Sequence, residues 1–216
     1  MSQTWFTSDY HAYHKNICLG STSWDLADKS GMTCRDFKDE YEMTNHIIKQ
    51  TNKYVKEDDV LYHCGDWSFG GKDKIYMFRS QLVCKTIHNC YGNHDEHIRK
   101  NSGIPGQKDG KDAIFYPQDC FASVQDVKLV KTANHQFFLS HYGHRVWLGS
   151  NAGYIHLYGH SHDSLPAYGL SMDVGLDSAK RILGEYRPFH INEIIQIMKD
   201  RKVEFPDKHS SKSNVR

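Results

Sequence analysis

Two short apolar runs, Val60 to Cys64 and Val83 to Tyr91, each stop at a glycine, Gly65 or Gly92, and each follows a stretch with helical character. Abrupt glycine stops of this kind mark strand ends where the backbone must turn sharply. Ahead of the first run lies Cys34 to Lys56, free of Gly and Pro, in which Phe37, Tyr41, Ile48 and Val55 recur at steps of four and seven. That spacing predicts a helix. Lys72 to Leu82, between the two runs, reads the same way. Thr4 to Ser8 is aromatic and β-favouring and ends in a turn-prone Ser-Asp. The resulting β-α-β-α-β rhythm predicts strands whose C-terminal ends empty onto one edge.

The character changes after Asn101 to Gly110, a stretch rich in Gly, Lys and Asn that contains Pro105 and is expected to be an exposed loop. Gln107 to Lys111 mixes charge signs around a glycine and reads as solvated. In Ser123 to Lys131, Val127 and Leu129 alternate with Asp126 and Lys128. Thr132-Ala133-Asn134 can turn that run into His135 to Ser140, a hairpin signal and hence antiparallel sheet. Ile155 to Tyr158 and Tyr168 to Val174 are predicted strands, and Ile191 to Lys199 a final helix. With 216 residues the expectation is one domain over 1–206 and a polar, disordered tail over 207–216.

The formal net charge is only +1, so no basic or acidic excess selects a long nucleic acid or an anionic membrane. No apolar stretch is long enough to cross a bilayer, and Met1 to Asp9 lacks the basic and apolar regions of a secretory signal. A cytoplasmic protein is expected. Its six cysteines include no C-x-x-C pair and read as free buried thiols rather than a disulfide framework.

The 15 histidines are the anomaly. Taken singly, His46, His88, His156 or His190 reads as a surface or packed core residue. Five segments at strand ends are different. They are Asp9-Tyr10-His11, Gly65-Asp66, Gly92-Asn93-His94-Asp95, His141, and Gly159-His160-Ser161-His162. Asp and His together suit Mn²⁺, Fe or Zn²⁺. A carboxylate can bridge two cations, and two metals about 3.5–4 Å apart can clamp an in-line displacement at phosphorus. Alternate residues of an extended chain face the same way, so both side chains of Asp9-x-His11 and of His160-x-His162 can reach one site.

In this order the five segments resemble the calcineurin-like metallophosphoesterase superfamily, with G-N-H-D and G-H-x-H the specific signals. The resemblance runs from Asp9 to His162, and more loosely to Asp173-Val174-Gly175 and the Pro188 to Ile194 end. The compact Asp9-x-His11-x-x-His14 start is most similar to small stand-alone bacterial and phage members. The resemblance implies an α/β fold, a four-layer αββα sandwich of two mixed β-sheets flanked by helices. It implies that Asp9, His11 and His162 hold one metal, that Asn93, His141 and His160 hold a second, and that Asp66 bridges them. His94 would protonate the leaving oxygen, and Asp95 would orient His94. The cofactor would be two divalent metal ions, Mn²⁺ foremost, with Fe, Zn²⁺ or Ni²⁺ as alternatives. Trp67-Ser68-Phe69-Gly70 replaces the D-R-G turn of the protein Ser/Thr phosphatases, and Gly143 stands where similar small members often have Pro.

The expected function is hydrolysis of a small phosphodiester or phosphomonoester, a nucleotide or related phosphate. A nuclease of the same superfamily and a catalytically silent scaffold are the alternatives. The first lacks a Lys/Arg stripe, and the second sits poorly with an intact motif set. Around the motifs, His14 is a candidate substrate contact or a cap for a helix starting at Lys15. Arg145 is a candidate phosphate contact. Trp67, Phe69, Tyr91, Tyr142 and Trp147 are either core or a stacking surface for a base.

Overall fold

A computed structural model describes residues 2–25 and 34–204; the tail expected over 207–216 lies outside them. Strands β1 (Thr4–Thr7), β2 (Val60–His63) and β3 (Thr86–Cys90) alternate with helices α1 (Glu40–Tyr54) and α2 (Lys72–Arg79). All three strands are parallel neighbours, as the alternating rhythm requires. After β3 come α3 (Glu96–Lys100), β4 (Ile104–Lys108), β5 (Lys111–Phe115), β6 (Ser123–Gln125), β7 (Val127–Lys131) and β8 (Gln136–Ser140). The chain ends with β9 (Ile155–Tyr158), β10 (Ser171–Asp173), α4 (Leu176–Leu183), β11 (Phe189–His190) and α5 (Ile191–Met198).

The strands form two mixed sheets, β11-β1-β2-β3-β6 and β10-β9-β8-β7, and a separate β4-β5 pair. Alternation along each strand builds two cores. Trp5, Leu61 and Ile87 face α1 and α2, where they meet Met43, Ile47, Ile75 and Phe78. Phe6 and Cys90 face the second sheet and pack with Phe137, Leu139, Ile155 and Leu157, joined by residues of α4 and α5. Phe6 and Phe137 bring their rings within 5.0 Å. This is the expected α/β arrangement of mixed sheets with flanking helices.

Strand β3 starts at Thr86 rather than Val83, and β10 spans only Ser171–Asp173 rather than Tyr168 to Val174; three further differences from the sequence reading have a local cause. Helix α1 begins at Glu40, not Cys34, because the Asp39 carboxylate accepts from the backbone N–H of Tyr41 and Glu42 and caps it there. The run Ser123 to Lys131 is not one strand. Its first part pairs with β3 in the first sheet and its second with β8 in the other, so the chain changes sheets at Asp126. Asn101 to Gly110 is not all loop. β4 and β5 form a hairpin closed by Asp109 and Gly110, at φ 52° and 73°, the left-handed pair that a two-residue Asp-Gly turn adopts. All six cysteines are free, and every one but Cys34 is buried.

Candidate metal centre

Parallel pairing places the C-terminal ends of β1 and β2 side by side, and the chain beyond them stays in register. Asp9 donates its N–H to Gly65 C=O, His11 to Asp66 C=O and Ala12 to Trp67 C=O, at 3.0–3.2 Å. Asn93 follows β3, His141 follows β8, and His160 and His162 follow β9. Five strand ends thus converge on one edge.

The side chains meet in two halves. His11 Nε2 lies 3.1 Å from His162 Nε2 and 3.7 Å from Asp9 Oδ1. In the other half Asn93 Oδ1 lies 2.8 Å from His141 Nε2 and 2.9 Å from His160 Nδ1. Asp66 stands between them, its Oδ2 3.5 Å from His11 Nε2 and 3.4 Å from His141 Nε2. Ligand atoms of Asp9, His11 and His162, and again of Asp9, Asp66 and His141, lie within 4.8 Å of one another. The donor set suits a divalent metal. Within this set, His141 presents Nδ1 to the Cys64 carbonyl at 2.8 Å, and His162 presents Nδ1 to Asp177 Oδ2 at 2.7 Å. Each then has Nε2 directed inward, the tautomer that metal-binding imidazoles adopt. Two glycines let the loops close this tightly. A Cβ at Gly92 would fall 2.1 Å from Asp66 Oδ1, and one at Gly159 only 1.9 Å from Ser8 Oγ.

Charge follows geometry. Burial raises the Asp9 carboxyl well above the ordinary range, although His162 pulls it down, so this carboxylate favours a cation beside it. Burial also works against the Asp66 anion, but hydrogen bonding and proximity to His141 prevail and hold it below the ordinary range. Burial lowers His141, but Asp66 and Asp9 reverse that and lift it to about 9.

Behind the cluster stand two residues with no motif signal in the sequence, Arg35 and Asp177. Arg35, fully buried, forks onto Asp177 through Nε and Nη2 at 3.0 and 2.9 Å. It also donates to the carbonyls of Tyr10 and Asp9 at 3.0 and 2.7 Å. Asp173 accepts from Ser161 Oγ and the Asp163 and Gly175 N–H groups, which fixes the loop carrying His160 and His162.

The calcineurin-like phosphoesterase family matches residues 3–192. The chain belongs to this family. Its chemistry is therefore metal-dependent hydrolysis of phosphate esters. The fold is similar to the crystal structure of a protein of unknown function from Aquifex aeolicus, with a TM-score of 0.61, 18% identity, and coverage of 91% of this chain and 100% of that one. A structure of an archaeal phosphodiesterase is 19% identical over 88% of this chain and 99% of that one, but its TM-score of 0.45 is too low to bear on fold or activity. No curated protein sequence is significantly similar.

Within this calcineurin-like phosphoesterase, two expected contacts are not made. Asp95 does not hold the His94 ring. Its carboxylate instead accepts from the N–H groups of Asp66, Trp67 and Gly92 at 2.8–3.0 Å, because those donors crowd the buried turn it occupies. Arg145 does not line the metal cleft. Its guanidinium lies 3.5 Å over the Tyr168 ring, in a separate pocket with Gly143, His144 and Leu165. His14 does line the cleft, together with Trp24, His94 and five of the ligand candidates, His11, Asp66, Asn93, His160 and His162. Its ring stacks on Phe69 at 3.7 Å and 9°, and it makes no side-chain cap bond to the short helical turn at Lys15–Ile17. Trp67 and Trp147 are core residues.

Proposed function

We propose that this calcineurin-like phosphoesterase hydrolyses a small phosphate ester, nucleotide-like in size, with two divalent cations, Mn²⁺ foremost. In this reading Asp9, His11 and His162 hold one cation, Asn93, His141 and His160 the other, and Asp66 reaches both. The observation that carries it is backbone strain. Five of those seven residues sit at positive φ: Asp9 at 53°, His11 at 46°, Asp66 at 62°, His160 at 65° and His162 at 46°. Non-glycine residues adopt that conformation rarely, and clusters of them occur where function requires a fixed geometry.

Cations bound there would act as Lewis acids toward the phosphoryl oxygens and lower the pKa of water toward neutrality. The protein's own groups do the rest. His141 and His162 keep Nε2 available through their outward hydrogen bonds. Asp66 Oδ1 accepts from the His94 N–H at 2.9 Å, which ties the His94 backbone to the cluster. The His94 imidazole, exposed on the cleft side, gives a ring proton to the departing ester oxygen. Six free cysteines fit the reducing cytoplasm. One domain over 1–206 is the matching organisation, since both halves supply ligands. Exhaustive chelation should abolish release of p-nitrophenolate from aryl phosphates, and Mn²⁺ should restore it better than Mg²⁺, which prefers oxygen donors. Full activity of metal-free protein refutes the proposal.

A further inference from the structure

The metal cluster opens onto two clefts rather than one. The first, about 470 Å³, is bordered by His14, Ile17, Trp24 and His94 beside the cluster. The second, about 440 Å³, is bordered by Tyr91, Arg99, Tyr142 and His144. Asn93 belongs to both walls, and its Oδ1 bonds His160 of the first cleft and His141 of the second.

We propose that the substrate is a phosphodiester whose departing arm lies in the His14–Trp24 cleft and whose retained arm lies in the Tyr91–Tyr142 cleft. This rests on the function proposed above and adds the substrate class and its direction. A monoester has one carbon-bearing arm and would leave one cleft empty; a diester has two. His94 borders only the first cleft, so the group it protonates departs there. In the balanced step, a water oxygen bonds to phosphorus and the ester bond toward the first cleft breaks. That electron pair takes the His94 proton and leaves as an alcohol, the water loses a proton to solvent, and a phosphomonoester remains.

The walls define the arms. In the first cleft, His14 is braced flat against Phe69, with Trp24 edge-on at 5.8 Å between ring centroids, an aromatic surface for a planar leaving group such as a nucleoside base or an aryl ring. In the second, Arg99 lies 4.1 Å over the Tyr91 ring and pairs with Asp126. Tyr142, half exposed, sets its edge toward His160 with ring centroids 4.6 Å apart. That wall offers both stacking and polar contacts to the retained arm.

The test compares Mn²⁺-loaded protein on p-nitrophenyl phosphate, p-nitrophenyl methyl phosphate and p-nitrophenyl phenyl phosphate. Both diesters should outrun the monoester in kcat/KM, and the reaction should stop at the monoester without releasing inorganic phosphate. Tyr142→Ala should lower kcat/KM for the phenyl diester about tenfold more than for the methyl diester, within the range a stacked aromatic contributes. Trp24→Ala should lower both diesters alike, because both expel the same group. A faster monoester, or an equal loss on both diesters in Tyr142→Ala with an unchanged melting temperature, overturns the two-cleft assignment while leaving phosphoester hydrolysis intact. No metal-dependent turnover of any of the three esters overturns the proposed function and this inference with it.

Discussion

Asp177→Asn isolates the support behind His162. The wild-type carboxylate satisfies two partners at once, the Arg35 fork and His162 Nδ1. Burial opposes its charge, but Arg35 and His162 hold it well below the ordinary carboxylate range. Oδ2 serves both Arg35 Nη2 and His162 while Oδ1 serves Arg35 Nε, so an amide turns its NH₂ toward Arg35 in either orientation and keeps an acceptor for His162 only when its oxygen takes the Oδ2 place. Breaking a buried charge pair by removing one partner costs about 3–5 kcal/mol, which for a chain of this size lowers Tm by roughly 6–20 °C. Loss of the hydrogen bond behind a ligating histidine costs roughly 10–100-fold in metal affinity. Urea unfolding measures the first effect, and calorimetric titration of stripped protein with Mn²⁺ the second. A double variant, Arg35→Met with Asp177→Leu, separates them. An apolar replacement of the whole pair can recover stability, but it leaves His162 Nδ1 without its acceptor, so weak metal binding should persist. Unchanged Mn²⁺ affinity in the double variant, in protein that still folds, would refute the claim that Asp177 positions His162.

Asp66→Asn should lose metal from both halves of the cluster and His162→Ala mainly from one, a contrast that elemental analysis reads directly; two metals per chain in Asp66→Asn would rule out a shared role. His94→Ala should retain metal and lose about 10²–10⁴-fold in kcat on an alkyl or nucleoside ester, and much less on an aryl ester whose leaving group needs no proton. Loss of metal instead would make His94 a ligand. Stability should fall between pH 6.5 and 4 on account of His156, whose burial depresses it to about 4. Its Nε2 accepts from the His144 N–H at 2.9 Å, which requires the neutral ring. Above pH 6.5 both folded and unfolded states are neutral. Below it the unfolded chain binds the proton first, costing about 2 kcal/mol by pH 5. Urea titrations at pH 7.5 and 5 should show at least this loss, because burial also depresses His63 and His88, and His156→Gln should reduce it by about the His156 share; an identical pH slope in the variant would exclude His156 as a source.

The strand ends were legible because glycine stops and the Asp/His segments coincide, and pairing brings those side chains to one edge. Arg35 and Asp177 were not, because they lie 142 residues apart and carry no spacing relation to the motifs. Only the fold shows that a buried guanidinium ties the Asp9 loop to α4. Asp95 was visible as a residue but not in its contacts, since sequence adjacency to His94 says nothing about which donors crowd its carboxylate. The Asp109-Gly110 hairpin is faint in the sequence for a different reason. Its flanks, Ile-Pro-Gly-Gln-Lys and Lys-Asp-Ala-Ile-Phe, lack strict alternation, so turn chemistry was the sole signal there. The break at Asp126 has no local cue, because one alternating run serves two sheets.

The left-handed residues show what this edge costs the fold. Asp and His tolerate positive φ better than most types, so each of the five contributes strain near the low end of about 1–3 kcal/mol. Together that is roughly 5 kcal/mol, comparable to the net stability of a modest domain. Glycine at those positions would relieve it and lose the side chains. The strain persists only because neighbouring contacts over-determine the loops. Arg35 holds the carbonyls of two successive peptides, Asp9–Tyr10 and Tyr10–His11. Asp95 collects three N–H groups from the loops after β2 and β3. Asp9 itself accepts from His160 N–H, so one ligand candidate fixes the backbone of another. These contacts hold Asp9, Asp66 and His160 in place through the backbone, without using the imidazole nitrogens that face inward. In the function proposed above, such backbone contacts would reduce the reorganisation that cation binding and catalysis require.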